Sequence, residues 1–533
     1  MRKPVLTRAD MRRLDAFTID NGTRGLDLME RAGELVAEFL MEEQEALAPT
    51  DDDTAPRVLV LAGPGNNGGD GFVVARLLAD EDWDVTVALC ARKPADDTDA
   101  GVNLERWTEA EGAIITMARA IDQLGAAAEG TYDLVVDALF GTGLDRPLDG
   151  RYVGLVAALN ESRLPVVAVD LPSGLCADTG EPLGLAVVAT ATVTLGAAKP
   201  GLFVGSGPNH VGWLEIADIG LAAVEQAGIE PAGFVIEEET ASTWVPRRQA
   251  TVHKGDLGHV LVSGGSPGKS GAVLLAARAA LRAGAGLVTM AVPGTMAGLV
   301  DLGLAEAMTL ALADDGTGQV ATGAWQRAAQ GIESFGAIVV GPGLGTGLGA
   351  REWTCRLVEE FPGALVVDAD ALNVLAELGW PALTSLFARR RVAGHRKAIL
   401  TPHPGEMGRL LAVATAEVQG NRAAACRRLA GGLAATVVLK GAGTLVADGT
   451  QLGFNTSGNA GMATAGMGDV LSGIIATLAV QMDDTFAAAC LGVFVHGAAG
   501  DLLSEEWDGP GYLAGELADS VPQALSLLRG LEL

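Results

Sequence analysis

Residues 58–72 read VLVLAGPGNNGGDGF, and the fold follows from this stretch. An apolar run, Val58–Ala62, meets a glycine-rich turn that leads into a helical segment, Phe72–Ala79. Gly63, Gly65 and Gly68 have the G-x-G-x-x-G spacing that lets backbone amides approach a pyrophosphate at a helix N-terminus. The same rhythm of apolar run, glycine turn and Ala/Leu-rich helix returns at Val85–Leu89, Leu134–Asp137, Val166–Asp170 and Thr190–Leu195. It returns again at Val260–Ser263, Leu287–Val292, Ala337–Val340, Leu365–Asp368, Ala398–Thr401 and Thr436–Lys440. Near-continuous apolar strands alternating with helices predict α/β architecture, with parallel sheets covered on both faces and the post-strand loops along one edge. The rhythm breaks between about Leu221 and Val252. The chain therefore reads as two doubly wound domains, 1–222 and 236–533, joined by a linker at 223–235. Segment 41–57, with Asp51-Asp52-Asp53, reads as a solvated connector.

Composition narrows the function. With 66 acidic against 37 basic residues the net charge is −29. That disfavours nucleic acid and anionic membranes, both of which are bound through basic surface. The 72 glycines in 533 residues are nearly double the usual ~7% and lack a collagen period, so they build tight loops. Five singly spaced cysteines, Cys90, Cys176, Cys355, Cys426 and Cys490, suit a reducing compartment and offer neither a disulfide framework nor a zinc site. The N-terminus has no signal-peptide core, and the most apolar segment, Gly184–Ala198, is too short to span a bilayer and reads as a buried strand. These features predict a soluble, cytoplasmic protein.

In the N-terminal half the second strand runs into Cys90-Ala91-Arg92-Lys93, where a dinucleotide fold would carry an acidic residue for the ribose. The contiguous N-N-G-G-D-G is more specific, because two carboxamides and a carboxylate beside exposed amides serve no packing purpose. Three further strand ends carry Asp137-Ala138-Leu139-Phe140-Gly141-Thr142-Gly143, Asp170-Leu171-Pro172-Ser173-Gly174 and Ala197-Ala198-Lys199-Pro200-Gly201. Four polar motifs on one sheet edge converge on a crevice, where open α/β sheets bind ligands.

The series GPGNNGGDG, VDALFGTGL, VDLPSGL and AAKPG resembles the NAD(P)HX epimerase family, the YjeF N-terminal domain, over most of residues 1–220. The resemblance implies a Rossmann-like three-layer domain that interconverts the R and S forms of hydrated NADH and NADPH. By motif, Asn66, Asn67, Gly68, Gly69 and Asp70 would embrace the substrate. So would Gly141, Thr142, Gly143, Leu144, Asp145, Arg146 and Pro147, together with Tyr152 and Asp170. Asn67, Asp137 and Ser173 would ligate potassium, an oxygen donor set that suits a hard cation. Asp170 would be the acid/base, since a carbinolamine hydroxyl needs a proton shuttle. Lys199 would either support developing charge or pair with a neighbouring acid.

In the C-terminal half, Gly268-Lys269-Ser270 invites a P-loop reading, but the Walker spacing needs glycine where Ser263 stands. The stretch Gly466-Met467-Gly468-Asp469 opens the apolar helix Val470–Leu478. It offers free amides to an anion and a carboxylate placed to take a proton from a hydroxyl attacking phosphorus. With KGDLGHVLVSGGS, GPGLG, DADALN, LTPHPGE, LKGAGT and GNAGMATAGMGDVLSG, residues 250–500 resemble the ADP-dependent NAD(P)H-hydrate dehydratase family, ribokinase-like in fold. By motif, Ala272, Gly345, His403 and Asp469 would contact the hydrated nucleotide. Lys440, Gly441, Ala442, Gly443, Thr444 and Gly468 would hold ADP, and Glu406 would organise magnesium. Ala465 and Met467 depart from the family's usual Gly and Ser or Thr.

Together the two resemblances imply a bifunctional repair enzyme. One site epimerises hydrated NAD(P)H, and the other dehydrates the S form with ADP, giving AMP and phosphate. Both families imply assembly into homo-oligomers. The alternatives are an ATP-dependent kinase of a vitamin precursor with an N-terminal nucleotide-binding regulator, and a scaffold like those of mRNA decapping.

Overall fold

The computed structural model describes residues 2–49, 54–125, 131–507 and 509–530, and divides into two compact units, Lys3–Gly233 and Phe234–Leu533 with Met1–Arg2. Asp51-Asp52-Asp53 lies outside the described residues.

In the first unit, seven strands are β1 (Arg57–Ala62), β2 (Asp84–Leu89), β3 (Ala113–Thr116), β4 (Leu134–Ala138), β5 (Val166–Val169), β6 (Ala191–Leu195) and β7 (Trp213–Ala217). They form one sheet in the order β3-β2-β1-β4-β5-β6-β7, with every neighbouring pair parallel. Side-chain alternation explains the uninterrupted apolar run of β1. Val58, Val60 and Ala62 pack beneath helices α1 (Gly25–Glu42) and α2 (Asn66–Asp80), whereas Leu59 and Leu61 face the layer that contains Leu155, Val156 and Leu159. The strand order reverses between β1 and β4, so their following loops flank the crevice of an open sheet.

The glycine-rich N-N-G-G-D-G is not a loop ahead of the helix: α2 starts at Asn66 and contains it. Glycine is needed there for close approach, because a Cβ on Gly68 would stand 2.2 Å from the Gly63 carbonyl oxygen, and one on Gly63 would stand 1.8 Å from that of Leu139. Segment 41–57 is not wholly a solvated connector either, since Gln44–Leu47 is helical and Leu47 and Ala48 are buried in the core. Of the apolar run 184–198, only β6 is strand.

In the second unit, the strands are β8 (Gly233–Ile236), β9 (His259–Ser263), β10 (Leu287–Pro293), β11 (Met308–Leu312), β12 (Ala337–Val340), β13 (Ala364–Val367), β14 (Ile399–Leu400), β15 (Thr436–Leu439), β16 (Leu445–Ala447) and β17 (Leu452–Asn455). Their order is β8-β17-β16-β15-β14-β13-β12-β9-β10-β11. Strand β8 begins inside the segment read as linker. The sheet is mixed, because β16 runs antiparallel to both neighbours as the middle of a tight meander. One face is covered by α3 (Ser270–Arg282), α4 (Met467–Gln481), α5 (Thr485–Trp507) and α6 (Ala514–Leu528). Helix α5 has the length and hydropathy of a membrane span, but most of that span is buried among α4, α6 and the sheet, which is the setting of a core helix.

Candidate active sites

In the first unit, a cavity of about 490 Å³ opens at the β1/β4 switch point. Its wall includes Asn66, Asn67, Asp70, Gly141, Thr142, Gly143, Leu144 and Asp170. The helix Arg8–Asp20 contributes Met11, Arg12, Asp15 and Ile19 from one face. Gly68, Gly69, Asp145, Arg146, Pro147 and Tyr152 are not part of the wall. Gly68 and Gly69 pack inward against Gly63 and Met29, and Asp145 pairs with Arg8 at 2.9 Å. The Tyr152 hydroxyl donates to the Cys90 carbonyl at 3.0 Å behind the wall.

Asp170 follows β5 in a left-handed conformation, φ 69°, a backbone state that costs energy and concentrates at functional positions. Its Oδ1 is paired with the fully buried Lys199 ammonium, and its Oδ2 accepts from the Thr142 amide at 2.8 Å. The two other Lys199 donors reach Thr194 Oγ1 and the Leu195 carbonyl, each at 2.9 Å. Burial alone would raise the Asp170 pKa, but Lys199 and these hydrogen bonds hold it below the usual carboxylate range. Lys199 thus does pair with a neighbouring acid. Asp70 is the opposite case. Burial, with Asp170 and Asp15 nearby, pushes it well above the ordinary value, and no side-chain hydrogen bond or ion pair engages it.

Asp137 and Ser173 meet below the cavity. Ser173 donates from Oγ to Asp137 Oδ1 at 2.7 Å and from its amide to Oδ2 at 2.8 Å. Burial pushes Asp137 up to about 6 despite these bonds, and no cationic side chain faces it. Asn67 lies beside Gly141, with its Oδ1 toward that glycine and a buried carboxamide nitrogen that lacks a partner. A buried carboxylate without a counter-charge, a hydroxyl oxygen and the Asn67 carboxamide oxygen, which accepts no hydrogen bond among the described residues, are the oxygen donors that fit a hard monovalent cation.

In the second unit, the loops after β9, β12, β13, β14 and β15 supply the motifs. Asp368, buried at the end of β13, binds Lys440 Nζ at 2.7 Å. That ammonium lies 3.1 Å from where a Gly468 Cβ would be, so glycine leaves it room beside the anion hole. Burial would lower the Lys440 pKa, yet Asp368 and Glu406 hold it above the usual value. Asp370 joins the post-β12 loop to Lys269, accepting from Gly345 N and Lys269 Nζ at 2.9 Å each. Lys269 therefore belongs to a side-chain pair and not to a P-loop, and Ala272 lies in the turn that it caps.

His403 caps the helix Pro404–Leu411, accepting from the Gly405 amide at Nδ1, while Glu406 Oε2 accepts from the His403 amide at 2.9 Å. His403 and Glu406 thus both have structural work. No group of three His, Cys, Asp or Glu residues preformed for a metal exists among the described residues. A magnesium ion that keeps most of its waters takes only one or two carboxylates plus substrate phosphates, so Glu406 fits such a role without a cage. Asp469 has no side-chain hydrogen bond or ion pair. Burial first, and then Asp368 with Asp370 and Glu406 against the opposing Lys440, push it up to about 7. Gly441, Ala442, Gly443 and Thr444 continue from Lys440 as an open turn, in which Thr444 Oγ1 donates to the Gly441 carbonyl at 2.9 Å.

Residues 25–201 match the family described as YjeF-related protein N-terminus, and residues 260–523 match the family described as NAD(P)H-hydrate dehydratase. A bifunctional NAD(P)H-hydrate repair enzyme of Moorella thermoacetica is 38% identical over 99% of this chain and 97% of its own length. The chain belongs to the bifunctional NAD(P)H-hydrate repair enzyme family. Another member, from Escherichia coli, is 37% identical over 88% of this chain and 85% of its own. Among solved structures, an ADP/ATP-dependent NAD(P)H-hydrate dehydratase from Bacillus subtilis co-crystallized with ATP and Mg2+ is similar at 29% identity and TM-score 0.46, covering 55% of this chain and 98% of that one.

Placed on this repair-enzyme frame, several residues at the two sites escape motif reading. Asp15 sits in a helix with no motif around it. Asp368 and Asp370 stand inside a quoted motif but show their partners only in three dimensions. His496 lies in apolar α5, and its Nε2 bonds the Met467 carbonyl at 3.0 Å behind the anion hole. Burial pushes that imidazole down to about 4, so it is neutral and Nε2 carries the donated proton.

Proposed function

We propose that the chain repairs hydrated NADH and NADPH in two steps, with an epimerase site in residues 1–222 and an ADP-dependent dehydratase site in residues 236–533. The observation that carries the reading is Asp469: a half-buried, unpaired carboxylate with its pKa near 7, beside a lysine and a glycine-amide anion hole. In that setting Asp469 takes the proton of the ring hydroxyl as its oxygen attacks the terminal phosphoryl of ADP, while Lys440 and the Gly468 amide stabilise charge on the phosphate oxygens. That attack releases AMP; the phosphorylated carbinol then expels phosphate, pushed by the ring nitrogen, and the resulting iminium loses a proton from the adjacent ring carbon to solvent, leaving NAD(P)H. Bound magnesium supplies charge neutralisation at the phosphates, and Glu406 would hold it through water. Ala272, Gly345 and His403 would orient the hydrated nucleotide. Lys440 through Thr444 would orient ADP.

In the N-terminal site, Asn66–Asp70 and Gly141–Leu144 would cradle the same substrate around Asp170. Potassium held by Asn67, Asp137 and Ser173 would supply the positive charge that the buried Asp137 lacks. Replacing potassium with choline is expected to slow epimer exchange and to lower the unfolding temperature of the first unit, read by differential scanning calorimetry without substrate. A melting curve indifferent to the cation would remove potassium from the proposal.

The function itself is tested by giving the purified chain hydrated NADH with ADP, against hydroxymethylpyrimidine with ATP. Return of absorbance at the reduced-nicotinamide band in the first mixture, with no phosphorylated product in the second, is the expected result. The opposite pattern favours the kinase alternative.

A further inference from the structure

We propose that Asp15 is a second proton-transferring residue of the N-terminal site, the acid that works against Asp170 across the substrate ring. The proposal rests on the epimerase reading and extends it. Epimerising a hydroxyl-bearing carbon by exchange with water requires departure on one face and arrival on the other, so two proton-transfer groups are needed where one side chain cannot reach both faces.

The cavity supplies two such groups on different elements. Asp170 stands at the end of β5, on the sheet edge, and Asp15 stands on the helix Arg8–Asp20 that forms another part of the wall. Their surroundings differ in the way an acid and a base require. Asp170 is committed as an anion by Lys199, whose three donors are all engaged by Asp170, Thr194 and Leu195. No donor of that ammonium remains for Asp15, which makes no side-chain hydrogen bond or ion pair. Burial and the charge of Asp170 raise its pKa to about 6, with Lys199 opposing. Asp70, nine-tenths buried and also unpartnered on the same wall, adds negative charge that favours a proton on this cluster. The other charged groups facing the cavity are Arg12 and Asp99.

Asp15 gives its proton to the ring hydroxyl. The carbon–oxygen bond breaks with both electrons leaving on oxygen as water, and the ring-nitrogen lone pair forms a carbon–nitrogen double bond. Water then adds to the opposite face. Its oxygen provides the new bonding pair, the double-bond electrons return to nitrogen, and Asp170 takes the released proton. Transfer of that proton back to Asp15 through solvent in the open cavity restores both groups.

The test follows exchange of the purified R epimer of hydrated NADH without ADP, by chromatographic separation of the epimers, in wild type, Asp15→Asn and Asp15→Glu. Asp15→Asn is expected to lose at least about 100-fold in kcat with KM within about threefold, and Asp15→Glu to recover part of the rate. Wild-type kcat/KM is expected to fall as pH rises through about 6, because the acid must carry its proton, and Asp15→Asn to lack that fall. ADP-dependent dehydration of the S epimer by the same preparations checks that the chain is folded. If Asp15→Asn does not fold, Asp15→Glu and the wild-type pH profile decide. Asp15→Asn exchanging epimers within threefold of wild type, or retaining the alkaline fall, overturns the role of Asp15 alone. Wild type that leaves the R epimer unchanged overturns the epimerase reading beneath it.

Discussion

Asp469→Asn is expected to abolish ADP-dependent dehydration, with kcat falling by about 10²- to 10⁴-fold, while epimer exchange proceeds at the wild-type rate. Asparagine preserves the shape of the side chain but cannot accept a proton. The wild-type carboxyl, pushed up to about 7 by burial and by Asp368, titrates close to the working pH, where a general base combines availability with proton affinity. A base must be ionised, so dehydration in wild type should rise with pH through about 7 and then level off. The residual rate of Asp469→Asn should lack that rise. ADP binding, followed by calorimetry, should persist, because Lys440 and the Gly468 amide are untouched. A variant that still restores NADH absorbance within a few-fold of wild type would remove Asp469 from the chemistry.

The fold was legible because its signals are local. Alternating apolar runs and glycine turns fix strands and crossovers without help from the rest of the chain, as β1 and β12 illustrate. The strands missed by that reading, β3, β7, β8, β11, β16 and β17, lie toward sheet edges or in a short meander. Exposed faces or brevity blur their pattern. The helix start at Asn66 was hidden because three glycines in its first turns contradict helix propensity, and close packing against Gly63, Met29 and Ala138 overrides that propensity. Site residues were legible where they sat in motifs after strands. Asp15 was not, because one of three aspartates spaced among the arginines of the helix Arg8–Asp20 looks like solvated surface until the helix is seen to wall a cavity. His496 was hidden in the same way by the apolar helix around it.

Lys199→Met should destabilise the first unit by about 3–5 kcal/mol, the usual consequence of removing one partner from a buried ion pair. The methionine fills most of the lysine's volume, so packing loss is small and the uncompensated Asp170 charge dominates. That charge would sit in a wall already shared with Asp70 and Asp15, neither of which has a partner of its own. The pH dependence has a definite sign. In wild type the folded-state pKa of Asp170 is depressed, so the pair's contribution is present above the unfolded value of 3.8 and is lost as pH falls through the lower folded value. Without Lys199, burial raises the Asp170 pKa above 3.8, and the folded state takes up a proton that the unfolded state does not hold. The deficit in unfolding temperature against wild type should therefore be larger at pH 8 than at pH 5. The double variant Lys199→Met with Asp170→Asn removes both charges and should recover most of the lost stability, although not epimer exchange. A deficit that is independent of pH, or a double variant no more stable than Lys199→Met alone, would mean that Lys199 holds the site through packing and not through its charge.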